Sequence, residues 1–199
     1  MAAPAKTANT SLLAMQSIAT ATATISSEVD VSTKIGAFVG IHYGHRTASA
    51  TVGPIFRLEA SYKTSGAAHW FTIASYQPLT VTSEAEAVSG TVAAGQNVIT
   101  VASTTNLAAG SILFIDNGTI ANSEIVRIKS IVANTSVTAE DNLVNAQTGA
   151  TLYSGAEIIS WEVGLANVMR IRLVVDAYTG PTGQNIAVEA IMSTWDSFS

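Results

Sequence analysis

The segment from Ser89 to Gly155 limits the folding options of this chain more than any other. It opens on Ser89-Gly90 and closes on Ser154-Gly155. Between them lie short strand-like runs: Asn97–Ala102, Ser111–Asp116, Ser123–Val132, Ser136–Glu140 and Ala150–Tyr153. Turn chemistry separates the runs at Leu107–Gly110, Asp116-Asn117-Gly118, Ala133–Thr135 and Gln147–Gly149. Asn-Gly is the strongest short hairpin signal a sequence offers. Val98, Ile99, Val101, Ile112, Leu113, Ile125, Ile128 and Val137 supply apolar side chains. About 65 residues of this kind close a small β-barrel-like core, and a marginal one.

The flanks read as a different β unit. Ile18–Ser26 alternates with period two, which makes a strand, and Glu28–Ser32 continues it. Ile35–Tyr43 is apolar but is interrupted by Gly36, Gly40 and Gly44, which predicts a strand with bulges. From Pro54 to Lys63 the parities separate cleanly. Ile55, Arg57, Glu59, Ser61 and Lys63 face one way, and Phe56, Leu58, Ala60 and Tyr62 the other. Lys63–Gly66 is the turn, and Trp70–Tyr76 is the expected antiparallel partner. Gln77–Glu86 reads as a linker. Long strands resume at Glu157–Leu165, Val168–Tyr178 and Asn185–Met192. Seven or eight such strands fit a jelly-roll-like β-sandwich. The expectation is an all-β chain in three parts. Residues 1–15 form a flexible arm with a weak helix option at Thr10–Gln16. Residues 16–88 plus 156–199 form the sandwich, and 89–155 form an inserted small β domain.

Only 12% of the 199 residues are charged and 48% are hydrophobic, against about 25% charged in ordinary globular domains. Such a surface suits an oligomer or a larger assembly. The net charge of −5, with lysines and arginines scattered, argues against a nucleic-acid partner. Cysteine is absent, so disulfides and thiolate metal sites are excluded. No apolar run reaches the ~20 residues of a membrane span, so no membrane partner is expected. Without an apolar leader after Lys6, the product is expected in the cytoplasm of the cell that makes it.

Few residues suggest chemistry. His42 and His45 lie three apart, and on a strand they face opposite sides; His69 is isolated. Glu84 and Glu86 are better read as solvated linker carboxylates than as an acid/base pair. Asp116-Asn117-Gly118 lacks the ligand spacing of a calcium loop, and Glu140-Asp141-Asn142 reads as an ordinary loop. No nucleophile elbow and no glycine-rich phosphate loop is present. No catalytic, cofactor or metal residue is therefore assigned, and the chain is expected not to be an enzyme. Trp70, Tyr76, Trp161, Tyr178 and Trp195 could form a carbohydrate platform, although alternating aromatics are more often core.

Residues Gly95–Gly118 (GQNVITVASTTNLAAGSILFIDNG), Ser123–Ile131 (SEIVRIKSI) and Asn134–Leu143 (NTSVTAEDNL) resemble a small β domain that recurs in tailed-bacteriophage structural proteins. The flanking halves resemble the jelly-roll platform of capsid decoration, or cement, proteins. The resemblance implies a non-enzymatic virion part on the outer capsid surface, a homotrimer that ties major capsid proteins together. It equally allows a tail, baseplate or head–tail connector component. A receptor- or glycan-binding sandwich is the alternative from another class. Expected partner contacts are Ala5, Thr7, Asn9, Leu12 and Leu13 of the arm, with Trp195 and Phe198 near the other end.

Overall fold

The computed structural model describes residues 8–19, 23–46, 50–51, 53–78, 81–82, 84–178 and 185–196. Its first strands are β1 (Thr10–Ala19), β2 (Thr24–Ile25), β3 (Val29–Asp30), β4 (Lys34–His45), β5 (Ala50–Thr51), β6 (Phe56–Ser61), β7 (Phe71–Tyr76) and β8 (Val81–Thr82). Next come β9 (Ala85–Ala87), β10 (Thr91–Val92), β11 (Val98–Thr100), β12 (Ile112–Asp116), β13 (Glu124–Val132), β14 (Ser136–Ala139), β15 (Gln147–Thr148) and β16 (Thr151–Ser154). The chain continues through β17 (Glu157–Gly164), β18 (Arg170–Val175) and β19 (Asn185–Asp196).

Two antiparallel sheets face each other across the larger core. One has the order β1-β19-β4-β17. The other has the order β2-β18-β6-β7, with β3 also on β18. Counting β2 and β3 as one interrupted strand, the orders are first-eighth-third-sixth and second-seventh-fourth-fifth. That is the double Greek key of a jelly roll. Period-two alternation sends Val39, Ile41 and Tyr43 of β4 inward to meet Phe56 and Leu58 of β6 and Leu173 of β18. All six are fully buried.

Strands β9 to β16 lie between the fifth and sixth jelly-roll strands, and they have their own core. Their sheet runs β11-β14-β13-β12-β16-β9. A bridge between Val88 and Val101 joins its two edges, so the sheet closes on itself. Ile99, Leu113, Ile115, Ile128, Val137 and Leu152 fill the interior. The ring of strands meets the sandwich through Phe114, which packs with Ala156, Ala187 and Met15. Arg46, at the end of β4, adds a bidentate contact to Asp116, with Nε 2.9 Å from Oδ2 and Nη2 3.2 Å from Oδ1. The approach is close: a Cβ on Gly44 would lie 2.5 Å from Phe114 Cβ.

Several sequence expectations are corrected. Residues 10–19 are neither arm nor helix but a sandwich strand. Leu12 and Leu13 are 3% and 7% exposed because β1 packs them into the chain's own core, so they are not contact residues. Bulges after Ser11 and Leu13 let both neighbours turn inward, which strict alternation forbids. Of the bulges expected at the glycines of β4, none falls at Gly40 or Gly44, while beside Gly36 the register to β19 does shift, with Trp195 opposite Gly36 and Asp196 opposite Lys34. Tyr43 to Gly36 pairs residue for residue with Glu157 to Gly164. The supposed linker around Glu84–Glu86 contributes β9, paired to β16. Asp116-Asn117-Gly118 is not a two-residue hairpin. Asp116 accepts the Gly118 N–H at 2.9 Å, and a 3-10 turn at Ile120–Asn122 follows before β13 begins.

Candidate functional site: the outer face of the β1-β19-β4-β17 sheet

The registers of β19, β4 and β17 lay the outward residues out as a grid. Its rows are Trp195·Gly36·Gly164, Ser193·Phe38·Glu162, Ile191·Gly40·Ser160, and Glu189·His42·Ile158. A fifth row begins with Ala187·Gly44 and ends on Ala156, and Phe114 of the inserted lobe covers it. The lobe does not cover the other four rows, where Ser193 is nonetheless buried and the Trp195 ring lies over Gly36. Phe38 is 43% exposed and Ile158 is 40% exposed. A Cβ on Gly40 would meet nothing within 4 Å. The result is a groove of about 380 Å³ lined by Asn9, Phe38, Gly40, Ile158, Ile191 and Ser193.

Toward the inserted lobe the groove becomes a cleft. His42 and Ile158 belong to both. Across from them stand Glu124 and Arg127 of β13 and the loop from Glu140 to Val144. His42 Nδ1 lies 3.5 Å from Glu189 Oε2, and Arg127 Nε lies 3.6 Å from Glu140 Oε2. Glu124 is already engaged, accepting the N–H groups of Val144 and Asn145 at 2.9 and 2.8 Å. The groove therefore has an apolar, small-residue end and an acidic end.

The opposite outer face, on β18 and β6, is closed by its own side chains. Asp176, Arg57, Glu59 and Arg172 form a continuous ionic ladder. Arg57 reaches Asp176 at 2.6 Å and Glu59 at 2.6 Å, and Arg172 reaches Glu59 at 2.7 Å. Arg170 pairs with Glu28. Trp70 lies beneath Arg172 at 4.2 Å and Arg170 at 5.6 Å. Arg170 and Arg172 thus each have a carboxylate and an aromatic face.

The residues singled out from sequence divide between these surfaces. Asn9 and Trp195 lie on the uncovered face. Ala5, Thr7 and Phe198 lie outside the described residues. The aromatics do not share one surface. Trp70 is under the arginines, Trp161 packs on the sandwich core, Tyr178 is buried, and Tyr76 donates to Glu157 at 2.8 Å. His42 points outward, while His45 points inward with Nε2 3.0 Å from the Tyr43 hydroxyl. Burial holds the His45 imidazole below its ordinary pKa and pushes the Tyr43 phenol up. Among the described residues, no three metal-ligating side chains converge. Phe38, Gly40, Ile158 and Ile191 were not anticipated as site residues. Their signal was present in the glycines four apart, which place Gly36, Gly40 and Gly44 on the parity of Phe38 and His42.

No family model matches the chain, and no curated protein does. Among solved structures it is similar to the SPBc2 prophage-derived protein YomS. The identity is 14% and the TM-score 0.33, over 97% of this chain and 96% of that one. A likeness of that size transfers no role.

Proposed function

We propose that this chain is a non-enzymatic structural component of a bacteriophage virion, a capsid decoration protein that works as a homotrimer on the major capsid protein. The observation that carries an assembly role is the contrast between outer faces. One saturates its own charges, and the other presents small and apolar side chains, with Glu162, His42 and Glu189 among them, to whatever docks there. The phage assignment rests on the sequence resemblance of the inserted lobe and, by analogy of fold only, on the jelly roll. The placing of titratable groups supports a non-catalytic reading: His45 is engaged by Tyr43, and Glu59 by two arginines.

The test is light-scattering chromatography followed by sedimentation with undecorated shells of the same virus. The expected results are a mass of three chains and pelleting with the shells. Phe38→Asp/Ile158→Asp should fail to pellet while keeping its circular dichroism. A ring of six or twelve chains that ignores shells would overturn the decoration role in favour of a tail or connector component. A chain that neither assembles nor pellets would overturn both.

A further inference from the structure

We infer that β17 is an open sheet edge on which a second copy of this chain docks its own β17, antiparallel about a two-fold axis beside Trp161. The contact is additional to the one that holds three chains together, and it rests on the reading of the chain as an assembling component.

The sandwich has four edges, and three of them are blunted against pairing. β1 shifts register twice, β2 and β3 form one interrupted strand, and β7 shifts register between Thr72 and Ala74. Such irregularities are a common way to protect a sheet edge. β17 has none. Its eight residues pair with β4 without a shift, and they include no proline and no lysine. Among the described residues, no strand lies on its other side. Leu165 donates to the Ile35 carbonyl at 2.9 Å. Bonded pairs in an antiparallel ladder recur every second residue, so Glu157, Ile159, Trp161 and Val163 bond to β4. Ile158, Ser160, Glu162 and Gly164 therefore turn their N–H and C=O groups to the open side. The core is open along the same edge. Of the six apolar residues only partly buried against it, Trp161 and Val163 lie on β17, and Phe71, Ile73 and Ala74 on β7. A second strand laid on β17 covers the backbone groups and this seam together.

β17 complements itself, which selects a second copy as the occupant. An axis beside Trp161 sets Ser160 opposite the partner's Glu162, Ile158 opposite the partner's Gly164, and Ile159 opposite the partner's Val163. The serine hydroxyl then donates to a carboxylate that has no hydrogen bond or ion pair among the described residues. Ile158, 40% exposed, lies beside the space over Gly164, where a Cβ would meet nothing within 4 Å. The two Trp161 rings form an aromatic cross-strand pair. Centred on Glu162, the pair would oppose two carboxylates; centred on Ser160, it would set Ile158 against a carboxylate. Both outward faces stay on one side, so the groove-bearing sheets of two copies become one.

The seam is ~26 Å long and ~20 Å across with its side chains, or ~500 Å² per copy. That is under the roughly 800 Å² per partner of a stable interface. The pairing is therefore weak in dilute solution and fills when copies are crowded, as on a shell.

Because the chain has no cysteine, disulfide capture reads the pairing on the protein alone. Full-length Ile158→Cys and Gly164→Cys are mixed at about 1 mM, the range of effective concentration that tethering supplies, and oxidised. A product joining the two different chains is expected, at several-fold higher yield than Ser130→Cys mixed with Gly164→Cys. Either variant alone should link poorly, because its two thiols stand ~20 Å apart across the pair. Ser160→Pro added to both chains should cut the yield several-fold and leave the thermal melt unchanged, since that N–H bonds nothing within the chain. Trp161→Pro, which removes a bond to β4, should lower the melt. Equal yields with Ile158 and Ser130, or a full yield with Ser160→Pro, would overturn the pairing. A Ser160→Pro melt as low as that of Trp161→Pro would overturn the open edge itself. Mass and shell sedimentation of the parent are scored separately. Three chains that pellet with shells but give no capture would overturn only the edge pairing, and capture without shell binding would overturn only the decoration role.

Discussion

The two outer faces of the sandwich are built by the same alternation and have opposite fates. On β6 and β18 the outward positions are Arg57, Glu59, Arg170 and Arg172, and they find one another. On β4, β17 and β19 glycine, serine, phenylalanine and isoleucine stand among the outward positions, and although Trp195 lies over Gly36 and His42 approaches Glu189, Phe38 and Ile158 stay exposed and the space at Gly40 stays empty. Folding alone explains the first face. On the proposed reading, the second is where another molecule docks. In a chain with so few charges, where they are placed is informative: three of the nine Lys and Arg are used to seal one sheet.

The largest effect is expected where the uncovered face ends. Phe114→Ala should strip the cover from the Gly44 row and open a cavity between the lobes. About 3–5 kcal/mol of stability should be lost, read by urea melts. A loss under about 1 kcal/mol would mean that the lobes do not share that packing. On the sealed face, Glu59→Ala leaves two arginines facing each other across a buried position. Because both guanidinia are partly solvated, the expected cost is about 2 kcal/mol rather than the full penalty of a buried pair. A variant as stable as the parent would show the ladder to be ornamental.

Acid should act from inside the sandwich. The folded pKa of His45 is held below its unfolded value of about 6.5 by burial. Its contribution is complete above that pH. As pH falls below it, the unfolded chain takes up a proton that the folded chain refuses, and stability declines. Thermal midpoints from pH 8 to 5 should fall on the acid side, and His45→Gln should flatten that slope. The smallest change in stability belongs to the uncovered face: Phe38→Ser should shift the melt by under about 0.5 kcal/mol. If it destabilises as strongly as Glu59→Ala, Phe38 is packed rather than presented.

How far the sequence reveals this depends on the length of the signal. Long alternating runs such as Phe56–Ser61 and Arg170–Val175 name their inward faces directly, because the residue types agree with parity everywhere except Val174. Position-specific deviations do not. Nothing in Ser11–Leu13 announces the bulge that buries two adjacent leucines, so the strand there reads as an arm. The grid is harder still. Gly36, Gly40 and Gly44 were visible as a repeat, but its meaning depends on which residues of β17 and β19 stand beside each glycine. Those registers join positions more than a hundred residues apart, and local propensity does not encode them. The contact between Gly44 and Phe114 is illegible for the same reason.

The place of β19 in its sheet also sets the order of events during synthesis. It is the last of the described strands to be made, yet it sits between β1 and β4 and joins them. At ~5–20 residues per second, the ribosome takes on the order of ten seconds or more to reach it after β1 emerges. Throughout that time β1 lacks its partner and β4 lacks one of its two. The strands from β9 to β16 are contiguous in sequence and need nothing from β19 to close their ring. The inserted lobe is therefore able to fold on the nascent chain before the jelly roll, which waits for β19.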